Sequence, residues 1–519
     1  MFKKYALFFV VLVLTVISIY NFIFYYKNGL GLSYNDARSH LDIGRRVVEG
    51  LKPGIAQIGS VWLPLPHLLM VPTIGNDFMW HSGLSGALES MISFVITGAL
   101  IYKILEKLGA KMLARLIGVA VFVLNLNILY LQSTAMTELL LLATLTAGVY
   151  YFICFYQHEK ILDLIKSAFY IMLSSLIRYE GWFLIGFAGI VLALTILKKK
   201  GYKVAEGTLV LFTTLAGVGI VLWILWNQLI FKDALYFAIG PFSAHAQQAD
   251  LAKAGNLPTK GNILLSIKIY LYSLIYSTGA FTSFLGLIGA IVLWFDKKIK
   301  PVVRVASLTL MAPFIFNVLA LYFGFSVLSI QGISGNTWFN VRYGVMMMPS
   351  IAVFVGYLVH RAKSLRWVII GLFLFTTFFM FVNYDAVTVD DARVGSSQKN
   401  VSEVSGWLKD NASNKSGFIL ISAASHDAII FSSGLPMARF IHEGTGAYWE
   451  SATTAPDRWA RWIVMRTYDE SDLTYKALSK TKALDKYNLV AKYPFADVYE
   501  IKPEYLKFLN RDPIFGKQK

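Results

Sequence analysis

Cysteine is nearly absent. The one in the chain, Cys154, lies inside an apolar segment, so no intramolecular disulfide forms and cysteine says nothing of the redox compartment. Acidic residues are scarce too, 31 against 48 lysines and arginines, which leaves a formal charge of +17. In a soluble protein that surplus would suggest nucleic acid. This chain, however, is 56% hydrophobic and 15% aromatic, with a mean hydropathy of +0.56. Apolar runs of about 20 residues exclude an ordinary soluble domain and read as transmembrane helices. The positive charge then belongs to cytoplasmic loops and to attraction by anionic lipid, and no nucleic-acid partner is expected. A glycine-rich, phosphate-cradling motif of the P-loop kind is missing as well, so nothing points to nucleotide chemistry. There is no internal repeat and no low-complexity segment.

What is present is a succession of apolar segments. They predict spans near 5–26, 86–104, 113–131, 135–156, 164–178, 182–197, 207–230, 277–295, 303–324, 343–360 and 367–384. The stretch 263–276, with Lys268 inside it, fits an interfacial position instead. The run after Lys3-Lys4 is too long for a signal peptide, and no small-residue cleavage site follows it, so it is read as an uncleaved first helix. Alternate loops carry Lys107 with Lys111, Lys160 with Lys166, Lys198-Lys199-Lys200, Lys297-Lys298 with Lys300, and Arg361 with Lys363 and Arg366. Basic loops stay in the cytoplasm. Residues 27–85, 132–134, 178–181, 231–262, 325–342 and 385–519 are therefore expected outside.

The expected architecture is an α-helical polytopic membrane protein of about eleven spans. Residues 1–384 form the transmembrane domain, with a first external loop at 27–85. Residues 385–519 form a small extracytoplasmic α/β domain. In that tail Gly417–Ser422 and Trp462–Arg466 read as buried strands, with 489–493 and 498–501 as further strands and 401–409 and 472–480 as helices. Such alternation predicts a partly parallel sheet.

Chemistry-bearing residues cluster at the edges of the external segments. Tyr34-Asn35-Asp36-Ala37-Arg38-Ser39-His40 follows the first span directly. Asp36, His40, Ile43 and Val47 share one helix face, and Lys52-Pro53-Gly54 ends that helix. Asp36 fits a general base or an acid favoured by the helix macrodipole. Asp36 and His40, at i and i+4, also fit a divalent-metal pair with His67 or Glu138 as a third ligand. His67 fits an interfacial hydrogen-bonding role equally well. The Arg45-Arg46 doublet suits a phosphate or a lipid headgroup. Thr137-Glu138 opens a span and fits a helix cap with an acid in its first turn. Arg178-Tyr179-Glu180-Gly181-Trp182 and Asn340-Val341-Arg342-Tyr343-Gly344 open two more spans. Their guanidinium groups are shaped to grip a phosphate, although Arg178 and Glu180 could equally pair with each other.

With these motifs the chain resembles the GT-C superfamily of polyprenyl-phosphate-sugar-dependent glycosyltransferases, nearest the protein O-mannosyltransferase and aminoarabinose transferase group. The likeness covers residues 1–384. It implies a catalytic acid at Asp36 and phosphate-binding arginines at Arg178 and Arg342, with Arg45 a further candidate. His40, His67, Glu180 and Tyr343 fall in the substrate-contacting positions. The first loop lacks the Asp-Glu pair common in the mannosyltransferases, and Glu138 is taken as the second catalytic acid. The Trp-Trp-Asp motif of oligosaccharyltransferases is absent, which argues for transfer of one sugar rather than an oligosaccharide. The expected partners are a polyprenyl-phosphate-linked sugar, membrane lipids and a lipid, glycan or protein acceptor. No cofactor is required, a divalent metal being the alternative. The competing class is a lipid-linked-sugar flippase or another transporter, which should carry ionisable groups at span centres.

The loop asymmetry yields a direct test. In a Cys154→Ser background, an impermeant thiol reagent on intact cells should label Ser397→Cys and leave Lys199→Cys protected. The reverse pattern would invert the topology.

Overall fold

In the computed structural model, residues 2–240, 243–253, 255, 257–394 and 398–510 are described. Ser397, the labelling position, lies outside them. The chain condenses into two units. The first contains Met1–Gly31, Ser60–Pro66 and Ala87–Gly395; the second contains Leu32–Gly59, His67–Gly86 and Ser396–Lys519.

The first unit is helical. Eight helices among the described residues are long and apolar enough to cross a membrane, or nine if one bent pair counts as a span. That pair, Ile263–Thr278 and Ala280–Phe295, bends by 111°. Each helix has 16 residues. Such a helix rises about 24 Å, short of the roughly 30 Å hydrocarbon core. The break falls at Gly279, whose φ of +86° suits glycine alone at little strain. The segment expected at 113–131 is likewise two pieces, Met112–Val123 and Leu126–Leu131, restarted where the Asn125 side chain accepts from the Ile128 amide. The segment expected at 164–178 is a 15-residue helix, Ile161–Ser175. Glycines let the helices approach closely: a Cβ on Gly356 would meet the Ala114 carbonyl at 3.0 Å, and one on Gly289 would collide with the Phe354 backbone.

The second unit is built on a five-stranded sheet, β1 (Phe418–Ile421), β2 (Phe440–Ile441), β3 (Ala460–Met465), β4 (Tyr487–Lys492) and β5 (Asp497–Ile501), in the order β2-β1-β3-β5-β4. β1 pairs in parallel with β2 and β3, and β5 runs antiparallel to β3 and β4. Leu420, Ile441, Ile463, Tyr448 and Leu478 are buried together in its core. The two-residue β2 gives no run long enough to read from sequence.

The first-loop helix, Asn35–Val48, packs on the helix Ala423–Ser433 of this unit. Arg46 Nη1 donates to Asp427 Oδ1 at 2.8 Å, and Glu49 accepts from the Met437 amide at 3.0 Å. Trp80 Nε1 donates to Asp42 Oδ1 at 3.2 Å, and the Trp80 ring meets Phe431 edge-on. Asp42 is completely buried and its Oδ2 has no partner among the described residues. Burial first, then the Asp427 charge, pushes the Asp42 carboxyl well above the ordinary 3.8, against the pull of Arg46. Burial also raises Asp427 and Glu443 and holds His442 down at about 3. Arg46 is thus the cation that this acid cluster is built around.

Replacing Arg46 by Gln leaves buried acids facing each other. Breaking a buried pair costs about 3–5 kcal/mol, so thermal unfolding of the purified protein should come at a clearly lower temperature. The pH dependence has a definite sign. The folded state keeps the Asp42 proton that the unfolded chain releases near 3.8. Stability from this group is complete below that value and is lost as pH rises. Asp42→Asn should flatten the fall in melting temperature with pH; an unchanged slope would place the proton on another group.

Candidate active site

In the first unit, the motifs at three helix starts come together. Glu138 opens the helix Glu138–His158 and is fully buried. Arg178 sits at the N-cap of Tyr179–Lys200, and Arg342 lies in a tight 3₁₀ turn, Val341–Met347. Glu138 Oε1 accepts from Arg178 Nη1 at 3.3 Å and from Arg342 Nε at 3.0 Å. Arg178 Nε also donates to Glu180 Oε1 at 3.2 Å. Both guanidinium groups lie over the Tyr343 ring, 5.2 and 5.5 Å from its centre. Burial works against the charge on Arg178, but Glu180 and Glu138 overcome it and raise its pKa. The turn carrying Arg342 is fixed by the Ser273 and Ser277 hydroxyls, which donate to the Val341 carbonyl at 2.8 and 3.0 Å. Gly344 lets it press on the Ser273 backbone. One acceptor is left over: Glu138 Oε2 is buried and has no partner among the described residues.

In the second unit, Asp36 stands in the first turn of Asn35–Val48, after an extended Tyr34, and is half-buried. His40 and His67 are both buried, with Nδ1 of the first 2.9 Å from Nε2 of the second. One ring must therefore donate and the other accept. No group of three or more His, Cys, Asp or Glu among the described residues could hold a metal ion. The residues present do not fit a metal centre, and no chemical step is assigned to one. Arg45 is engaged by Glu49, by Asp77 at 2.6 Å, by the Ile74 carbonyl at 2.8 Å and by the Trp80 ring.

Arg38 differs from these arginines. Its Nε donates to the Leu32 carbonyl at 3.0 Å, while Nη1 is buried with no partner among the described residues. Burial alone lowers its pKa, with no carboxylate acting in opposition. An uncompensated guanidinium two residues after Asp36 is a ready anion site. In the sequence, Asp42 stands four residues on, at the spacing of a helical ion pair. That acid is instead turned to Trp80 and buried.

The tail has an anion position of its own, already filled. Glu443 accepts from the Ala423 and Ala424 amides, at 2.9 and 2.6 Å, at the start of the helix that follows β1.

No protein-family model matches the chain, and no curated protein matches it in sequence. Solved structures do match. The chain has the fold of GT-C glycosyltransferases, a multi-pass membrane architecture with a small α/β domain at its C-terminal end. ArnT from Cupriavidus metallidurans bound to undecaprenyl phosphate aligns with a TM-score of 0.60 at 11% identity, over 94% of this chain and 98% of that one. The same protein in its apo state gives 0.54 at 13% identity over the same shares. The oligosaccharyltransferase AglB from Archaeoglobus fulgidus, in complex with an inhibitory peptide and a dolichol-phosphate, gives 0.50 at 11% identity, over 89% of this chain and 70% of that one.

Glu138 is the shared counter-ion of two arginines. Glu138→Gln should destabilise the first unit by about 3–5 kcal/mol, read as lower detergent-solubilised thermal stability. Glu138→Asp, which keeps the charge, should lose much less. A larger loss in Glu138→Asp than in Glu138→Gln would mean that the site depends on side-chain length and not on charge.

Proposed function

We propose that the protein is a glycosyltransferase that moves a single sugar from a polyprenyl-phosphate carrier to an acceptor hydroxyl outside the cytoplasm, with inversion. The observation that carries this is the uncompensated Arg38 two residues from Asp36, in a chain with the GT-C fold. Asp36 takes the proton of the acceptor hydroxyl as its oxygen bonds to the anomeric carbon. The bond from that carbon to the phosphate oxygen breaks in the same step, and the phosphate leaves with the electron pair. One base suffices because the leaving group is already a phosphate. Arg38 meets the charge that develops on it. Residues two apart on a helix point to different sides, so base and cation do not compete for one position. Glu138 serves as the second acid, its open Oε2 accepting from a sugar hydroxyl. Arg178 and Arg342, each held by carboxylate, hold that acid in place and add positive potential for the donor. His40 and His67 in the second unit, and Glu180 and Tyr343 in the first, are the candidate substrate contacts.

The reading is tested with purified protein and a polyprenyl-phosphate-linked sugar. Asp36→Asn should still fold and bind the carrier but lose about a hundredfold to ten-thousandfold in rate, the usual worth of a general base. Arg38→Gln should weaken donor binding by about tenfold to a hundredfold, since hydrogen bonds to charged groups contribute roughly 1.5–3 kcal/mol. Arg178→Lys and Arg342→Lys should have smaller effects on donor affinity. Near wild-type transfer by Asp36→Asn would reject the mechanism.

A further inference from the structure

At the opposite end of the first unit from Arg178, the helices Ala280–Phe295, Met348–Arg361 and Arg366–Asn383 border a groove of about 590 Å³. Its walls are apolar, with Leu285, Ile288, Val292 and Ile369 among them. The wall formed by Ala280–Phe295 runs from Leu285 to Phe295, about 15 Å at helical rise. Phe295 is 79% exposed and Leu365 58%, so the rim presents large apolar groups to the surroundings.

One end of the groove is polar. Lys297 and Arg361 line it, beside Asp296. Asp296 Oδ2 takes the Tyr357 hydroxyl at 2.6 Å and Arg361 Nε at 2.8 Å. Its other oxygen accepts from the Lys298 amide at 2.9 Å. The carboxylate therefore fixes the Arg361 guanidinium by one edge at the groove mouth. Lys297 is exposed there, and Lys298, Lys300, Lys363 and Arg366 lie in the same two connections. Asp296 cannot offset that many cations. A long apolar trough closed by a positive end fits a molecule with the reverse design, hydrocarbon chains joined to an anionic head.

We propose that this groove is a binding site for one anionic glycerophospholipid, its acyl chains along Leu285–Val292 and its phosphate between Lys297 and Arg361. Basic pockets between spans on the cytoplasmic side are the setting in which such headgroups are recognised. The site is separate from the candidate active site and does not depend on the proposed transfer reaction.

The test uses the full-length protein in neutral detergent and native mass spectrometry with added dioleoylphosphatidylglycerol or dioleoylphosphatidylcholine. The wild type should retain one phosphatidylglycerol at least about tenfold more strongly than phosphatidylcholine. Lys297→Glu should erase that preference, and Leu365→Trp, which narrows the rim, should lower retention of both lipids. Phosphatidylglycerol should also raise the wild-type melting temperature, and not that of Lys297→Glu. Equal retention of the two lipids by the wild type, or an unchanged preference in Lys297→Glu, would overturn the proposal. So would displacement of phosphatidylglycerol by an equal amount of polyprenyl phosphate, since the groove would then belong to the carrier. If Lys297→Glu fails to fold, Lys297→Gln and the wild-type comparison of the two lipids decide the matter.

Discussion

The buried carboxylate of Glu138 is the point on which the first unit turns. Two guanidinium groups from different helix starts meet on one of its oxygens. Without it, Arg178 and Arg342 would be like charges over one tyrosine ring at the edge of a low-dielectric region, where repulsion is strong. With it, and with Glu180, charge balances and three chain segments at least 40 residues apart are held in register. A charged group so placed is costly to bury, which limits where else these helices can sit. The interaction specifies position more than it adds stability.

The same rule governs the second unit with the signs reversed. There the excess is acidic, and Arg46 supplies the cation between Asp42 and Asp427. The first-loop helix thereby becomes part of the α/β tail, tied by Glu49 to Met437 and by Gln57 to the Gly444 carbonyl. Asp36 and Arg38 sit on the opposite end of that helix from these anchors, toward its N-terminus. Arg45, braced by Glu49 and Asp77, completes the clamp. Folding the helix onto the tail fixes its axis and leaves its first turn away from these anchors.

Much of this was legible in the chain, for identifiable reasons. Long apolar runs, basic loops and the shift in composition near 384 gave the membrane fold and the α/β tail, because hydropathy and strand alternation are strong signals. The boundary near Gly279 was legible, as an interfacial 263–276 against a span at 277–295, but the 111° bend between two helices was not. Neither was the two-residue β2, whose pairing with β1 is purely tertiary. Sequence singled out Glu138, Arg178, Glu180, Arg342 and Tyr343, which the fold brings into contact, but not the balance of charge among them. Arginines look alike until their counter-ions are placed. Only the contacts separate Arg178, Arg342 and Arg45, each with a carboxylate, from Arg38, which has none among the described residues.

The tail invites comparison with nucleotide-binding α/β domains, and one carboxylate argues against it. In an open sheet, ligands settle beyond the carboxyl ends of parallel strands, where a helix N-terminus offers bare amides to a phosphate. Here β1 ends at Ile421 and the next helix starts at Ala423, the expected place. Glu443 already occupies the Ala423 and Ala424 amides. An incoming phosphate would have to expel a side chain that two backbone amides anchor. The domain has spent its anion site on itself, and the segment that follows, His442 to Gly446, is packed against Gln57 and Lys52 of the first loop. Its contribution is therefore to hold the first-loop helix that bears Asp36.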